Sequence, residues 1–159
     1  MEQTLQIFAD EYMPLSENGM VYGEILPVDR VMDFRDGKTL AQDIEQNHPQ
    51  LKIAGGYDHN FVLNPKGKEL VLAARAEDSA TGRVMEVLTN LPGILLYTGN
   101  FLADHNVSGK GGRFYGKREG FCLETNFPPN ALKHPNFVQP ILNAGETYDF
   151  ETVYRFKTV

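Results

Sequence analysis

Cys122 is the chain's single cysteine. One thiol cannot close an internal disulfide or build a metal site from several thiolates. Positive charge is also in short supply. Lys and Arg number 15 against 21 Asp and Glu, for a net charge of −6. Such a chain lacks the sequence-independent attraction on which nucleic acid binding mostly rests. No apolar run comes near the ~20 residues of a membrane span. The first residues, MEQTLQIFADEYMP, carry neither a basic stretch nor an apolar segment of signal length. The expectation is a soluble, cytoplasmic protein with no nucleic acid and no membrane among its partners.

What is present suffices for a core. The 159 residues fit one domain, spanning 1–159, and a globular chain of about 150 residues buries about 68–70% of its unfolded surface. Hydrophobic residues make up 42% and aromatics 11%, which excludes general disorder.

Most of the pattern reads as strands and loops. Over 147–159, Tyr148, Phe150, Thr152, Tyr154, Phe156 and Thr158 alternate with Asp149, Glu151, Arg155 and Lys157. That period of two predicts a strand with one row on the core and the other in water. The segments 69–77 and 83–90 predict two strands joined by the turn Asp78-Ser79-Ala80-Thr81-Gly82. Short buried strands are expected at 60–64, 94–98 and 120–125, with weaker ones at 5–9 and 24–28. Leu40, Ala41 and Ile44 share one helical face, so a two-turn helix is expected over 38–46. The fold class is all-β, an antiparallel sandwich. The central strands carry apolar residues on both faces, which asks for cover on both sides.

Several motifs fall short of the chemistry they suggest. Gly111-Gly-Arg-Phe-Tyr-Gly116-Lys117 matches most of a phosphate-binding loop. Arg118 stands where Ser or Thr should hold magnesium, however, and a strand rather than a helix should follow. His48, His59, His105 and His134 form no local ligand pair, so no metal site is expected. Ser16, Ser79 and Ser108 sit in turn-like contexts without a nucleophile elbow. Two carboxylates are more unusual. Asp58, in GGYDHNFVL, and Glu124, in GFCLETNFPPN, each border a buried strand. A carboxylate there pays desolvation unless it is partnered, and a raised pKa suits it to proton transfer. Capping of a local turn through backbone N–H groups is the alternative for each.

These segments carry a resemblance. GGYDHNFVL, LPGILLYTGNFL and the run from GFCLETNFPPN to FETVYRF occur in that order, and ADEYMPLSENGMVYGEILPVDRVMDFR precedes them. Together they resemble the aldose 1-epimerases, the galactose mutarotases, over essentially the whole chain. The resemblance implies a large β-sandwich and an isomerase that interconverts the α and β anomers of a hexopyranose such as galactose or glucose. No metal or organic cofactor is implied. A base takes the proton of the anomeric hydroxyl, an acid protonates the ring oxygen, the ring opens and then recloses on the other face. The family's base falls on Glu124, and its Asp that binds sugar hydroxyls falls on Asp58. A further sugar-binding position, usually Gln, is Leu95 here, and Asn126 stands where Gln is usual.

The family's acid is a His in an NHTYFNL-like motif, which is not found in this chain. The chain therefore looks like the carboxy-terminal portion of such a domain. It would hold the base half of the site and be inactive alone. The same residues would also serve a non-catalytic carbohydrate-binding or interaction module. Three expectations follow: Asp58 and Glu124 should face one cleft, a hexose should be the ligand, and apolar surface left open should be covered. The cover would be a second copy in a homodimer, or a separate chain supplying the missing half.

Overall fold

The computed structural model describes all residues except 66–67 and 106–107, and the side chains of 104 and 105, so the side chain of His105 lies outside the described residues. In chain order the strands are β1 (Thr4–Ile7), β2 (Glu11–Met13), β3 (Leu26–Pro27), β4 (Lys38–Thr39), β5 (Asp58–Val62), β6 (Val71–Asp78), β7 (Arg83–Thr89), β8 (Gly93–Tyr97), β9 (Cys122–Asn126) and β10 (Thr152–Thr158). A six-residue helix, α1 (Pro49–Ala54), precedes β5. No helix among the described residues is long and apolar enough to cross a membrane.

The strands form two five-stranded sheets, ordered β10-β7-β6-β1-β4 and β3-β2-β5-β8-β9. Every pairing is antiparallel. Leu5, Ile7, Ala74 and Val87 of the first sheet meet Phe61, Ile94, Leu96 and Leu123 of the second in one buried cluster. Phe34 and Tyr57 pack into it edge to face at 5.1 Å. The expected all-β sandwich is the observed fold. Burial of this kind is worth roughly 25 cal/mol per Å² of apolar surface, so the two inner faces hold the sheets together.

The hairpin of β6 and β7 forms as its turn residues require. Asp78 O accepts from Thr81 and Gly82, and Asp78 Oδ1 accepts from the Ala80 N–H at 3.0 Å. Gly82 supplies the positive φ of 68°. A second short strand near the start, β2, forms where no strand was expected, by pairing between β3 and β5.

Two expectations fail. No helix spans 38–46. Lys38 and Thr39 pair with β1, and the residues beyond run through turns. Leu40 and Ile44 are buried as their spacing suggests. Asp43, however, is drawn between Lys38 and Arg30, at 2.9 Å and 2.8 Å, and ties the segment into a tertiary ion cluster. The helix begins instead at Pro49, whose fixed φ suits a first helical turn. It ends at Gly55 in the left-handed conformation.

The carboxy-terminal strand is the second correction. It starts at Thr152 rather than Thr147. Its register sets Tyr154 opposite Val87 and Phe156 opposite Met85, so the expected row does point to the inner side of its sheet. Most of that row is nevertheless open, with Phe156 73% exposed. β10 overhangs the opposite sheet, which ends at β9. The two edges meet where Tyr154 OH donates to Leu123 O at 2.7 Å and Thr125 touches Thr152 at 2.6 Å. The outer row behaves as expected, with Arg155 and Lys157 both paired to Glu86.

Candidate functional site

The site lies on the outer face of the second sheet, and strand register places its residues. Along β5 the alternation sends His59 and Phe61 into the core and leaves Asp58 and Asn60 on the other side. Asp58 pairs with Tyr97, which pairs with Cys122; Asn60 pairs with Leu95, which pairs with Glu124. All six therefore share one face. Asp58 opens its strand, as the pattern suggested, whereas Glu124 occupies the middle of β9. With strands ~4.8 Å apart and a rise of ~3.4 Å per residue, the Cα atoms of Asp58 and Glu124 lie roughly 12 Å apart, on either side of β8.

Burial raises the pKa of Asp58, and the charge of Glu124 raises it further. The Cys122 thiol is pushed up by partial desolvation, by Glu124 and then by Asp58. Tyr154, reaching over from the first sheet, is raised by burial and then by Glu124. The face thus concentrates negative charge and retains protons. Among the described residues no group of three or more His, Cys, Asp or Glu is placed to hold a metal ion.

A cleft of about 130 Å³ opens on this face, lined by Asp58, Asn60 and Leu95 and walled by the loop of Leu15, Met20 and Val21. Glu124 is not in its lining; it stands past Leu95 along the same face. The structure therefore brings the two carboxylates to one side of one sheet, while the recess itself holds only Asp58. Larger cavities elsewhere, around Phe156 and over 138–150, touch neither.

The residues behind the face hold it in place. Gln50 of α1 accepts from the Leu15 N–H at 2.6 Å and returns its own N–H to Leu15 O at 3.0 Å, fixing the cleft wall. The same Gln50 Oε1 meets His59 Nε2 at 3.3 Å, and His59 Nδ1 accepts from the Asp58 N–H at 3.1 Å. His59 is fully buried, which lowers its pKa to about 3 and keeps it neutral. Asn100 Nδ2 donates to Ala54 O and Tyr57 O, both at 3.0 Å, and Thr98 Oγ1 donates to Tyr57 O at 3.1 Å. These bonds clamp the approach to Asp58. Gly56 allows it, since a Cβ there would overlap Asn100 Oδ1.

His48 and His134 are engaged elsewhere. His48 Nε2 meets Asp29 at 2.8 Å, and His134 packs on Phe137 and contacts Asn130. The Gly111–Lys117 segment contains a short 3-10 turn at Lys110–Gly112 and an exposed loop, with no helix after it. Tyr97 lies on the site face, and its hydroxyl accepts from the Phe101 N–H at 3.1 Å. Asn60 and the Thr98–Asn100 clamp are the site's additions to the residues picked from sequence. Their signal was present only as unremarked letters inside the DHN and YTGN segments.

Comparison with known families assigns the chain as a whole. The model of the aldose 1-epimerase family matches residues 1–155. The chain belongs to the aldose 1-epimerase family. It is 40% identical over 156 residues to human galactose mutarotase, covering 98% of this chain and 44% of that protein. It is 35% identical over 155 residues to the aldose 1-epimerase of Escherichia coli, covering 96% of this chain and again 44% of the relative. Among solved structures, an aldose epimerase homologue from C. elegans superimposes with a TM-score of 0.85 at 26% identity, over 99% of this chain and 46% of that one. The chain thus spans less than half the length of the relatives it matches.

Proposed function

We propose that this chain contributes the base side of an aldose 1-epimerase site, interconverting the anomers of a hexopyranose such as galactose or glucose. The observation that carries this reading is the shared face: within a family match over residues 1–155, Asp58 and Glu124 flank β8 on one side of one sheet. Glu124 takes the proton of the anomeric hydroxyl. As that O–H bond breaks, its electrons form the aldehyde carbonyl, and the C1–ring-oxygen bond opens onto a proton delivered by an acid. Rotation about C1–C2 and the reverse steps return the other anomer, so no proton is consumed. Asp58, half-buried beside the cleft, accepts hydrogen bonds from sugar hydroxyls.

The acid comes from further chain in this reading. Among the histidines whose side chains are described, His59 is sealed in the core, while His48 and His134 have other partners. Residues 1–159 are then the carboxy-terminal portion of a larger sandwich. The open aromatic row on β10 is the surface such further chain would cover. Alone, the same row drives two copies together.

Polarimetry on freshly dissolved α-galactose tests the reading. The chain is combined with an amino-terminal portion carrying the acid. Acceleration of mutarotation is expected, and Glu124→Gln should lower it by about 10²-fold or more. An undiminished rate in the Gln variant would make Glu124 structural. Saturable sugar binding with no rate effect at all would leave a binding module instead.

A further inference from the structure

The carboxamide of Asn60 is 1% exposed, yet its Oδ1 has no hydrogen-bond partner. Buried polar groups are almost always satisfied, so an orphan acceptor in a cleft lining points to a donor that arrives from outside. Three features set its direction. The amide N–H points to Met13 Sδ at 3.5 Å, which leaves the oxygen as the unused end. Strand alternation puts Asn60 on the face of Asp58, two residues along β5, and both line the 130 Å³ cleft. Its partner across the sheet is Leu95, whose side chain offers no hydrogen bond.

Gly93 makes room for the arrangement. A Cβ there would lie 2.7 Å from Asn60 Nδ2 and 2.8 Å from Asn126 Oδ1, a second buried acceptor without a partner. The glycine is a notch between two amides, on the side of the sheet that carries both carboxylates.

We propose that Asn60 is a sugar-recognising residue of this cleft, its Oδ1 accepting a hydrogen bond from one ring hydroxyl of a hexopyranose whose neighbouring hydroxyl Asp58 holds. The assignment rests on the proposed function. Its chemistry follows from the donor inventory. A carboxamide oxygen and a carboxylate only accept, so the ligand must present donors, which hydroxyls are and a ring ether oxygen is not. Leu15, Met20 and Leu95 meet the C–H surface of the ring. The cleft therefore recognises a hydroxyl pair against an apolar wall, with Asn60 supplying polar recognition beside Leu95.

The test is a titration of the chain, combined with an amino-terminal portion carrying the acid, with galactose and its 2-, 3-, 4- and 6-deoxy analogues, followed by the side-chain amide resonance of Asn60 and by calorimetry. The Asn60 resonance should shift with galactose and fail to shift with one deoxy sugar, the one that lacks the partner hydroxyl. Asn60→Ala should weaken galactose by about 5–10-fold, the loss of one hydrogen bond, and leave that same deoxy sugar unaffected. Equal losses across all the deoxy sugars would make Asn60 structural and overturn the proposal. So would galactose binding that leaves the Asn60 resonance unmoved, a readout that stands even if the Ala variant does not fold. A wild-type chain that binds no hexose even when combined with an amino-terminal portion carrying the acid would instead remove the functional reading, and this assignment with it.

Discussion

Glu124 raises the proton affinity of Asp58 from two strands away, because register sends both carboxylates out of the same side of β5, β8 and β9. Burial makes the larger contribution. A raised carboxylate pKa means the folded state holds its proton more tightly than the unfolded chain. The associated stability is full below the ordinary value of 3.8 and is lost as pH rises through the folded value. Asp58→Asn should therefore gain stability over the native chain as pH climbs from 3 toward 7. Thermal unfolding of the two proteins across that range checks it. A pH-independent difference would show that Asp58 titrates normally.

His59 should act in the opposite direction. Its folded pKa of about 3 lies below the ordinary 6.5, so the unfolded chain binds the extra proton and the native state loses stability as pH falls from 6.5 toward 3. One proton corresponds to a slope of up to about 1.4 kcal/mol per pH unit. His59→Gln should be less stable at neutral pH and should flatten that slope. Denaturant melts at several pH values will show whether it does.

Lys38 is buried with its ammonium on Asp43 at 2.9 Å, on two backbone carbonyls and over the Phe34 ring at 4.4 Å. Lys38→Met leaves Asp43 buried, with only the exposed Arg30 as partner. Breaking a buried pair from one side costs about 3–5 kcal/mol, whereas removing both charges together is far milder. Urea unfolding of Lys38→Met, and of that variant carrying Asp43→Leu as well, should show the double variant partly restored.

Leu95 occupies the centre of the site face, between Asn60 and Glu124. Leu95→Gln would add a hydrogen-bonding group there. Galactose affinity should rise by about 2–10-fold, one net hydrogen bond. Calorimetric titration that finds no change would mean that the sugar does not reach Leu95.

The overhanging row of β10 should make the chain alone associate. Sedimentation at micromolar concentration is expected to show a concentration-dependent homodimer or larger species. Phe156→Lys, at a side chain already 73% exposed, should shift it toward the 17.9 kDa monomer and cost little stability, since surface changes usually lie within about ±0.5 kcal/mol. A compact monomer in the unsubstituted chain would dispose of the idea.

Local pattern carried much of the architecture. The period of two marked β10, and the turn residues 78–82 marked the β6–β7 hairpin, because alternation and positive-φ glycine are properties of neighbouring residues. The helix misplaced over 38–46 shows the limit. Spacing identified Leu40 and Ile44 as buried, but it could not reveal that Asp43 would be claimed by Lys38 and Arg30. Exposure of Phe156 was equally illegible, since it depends on where the opposite sheet ends.

The sequence by itself determined the fold class and the family and singled out the two carboxylates as candidates, since each is written in residue type, order and short-range spacing. Only tertiary structure decided which of these groups meet. Pairing of β5, β8 and β9 sets residues 58, 60, 95 and 124 on one face although 66 positions separate the first from the last. It also turned His59, the neighbour of Asp58, into the core. Nothing local distinguishes the two sides of a strand with apolar residues on both; burial against the first sheet does, and it left the oxygen of Asn60 in the cleft without a partner.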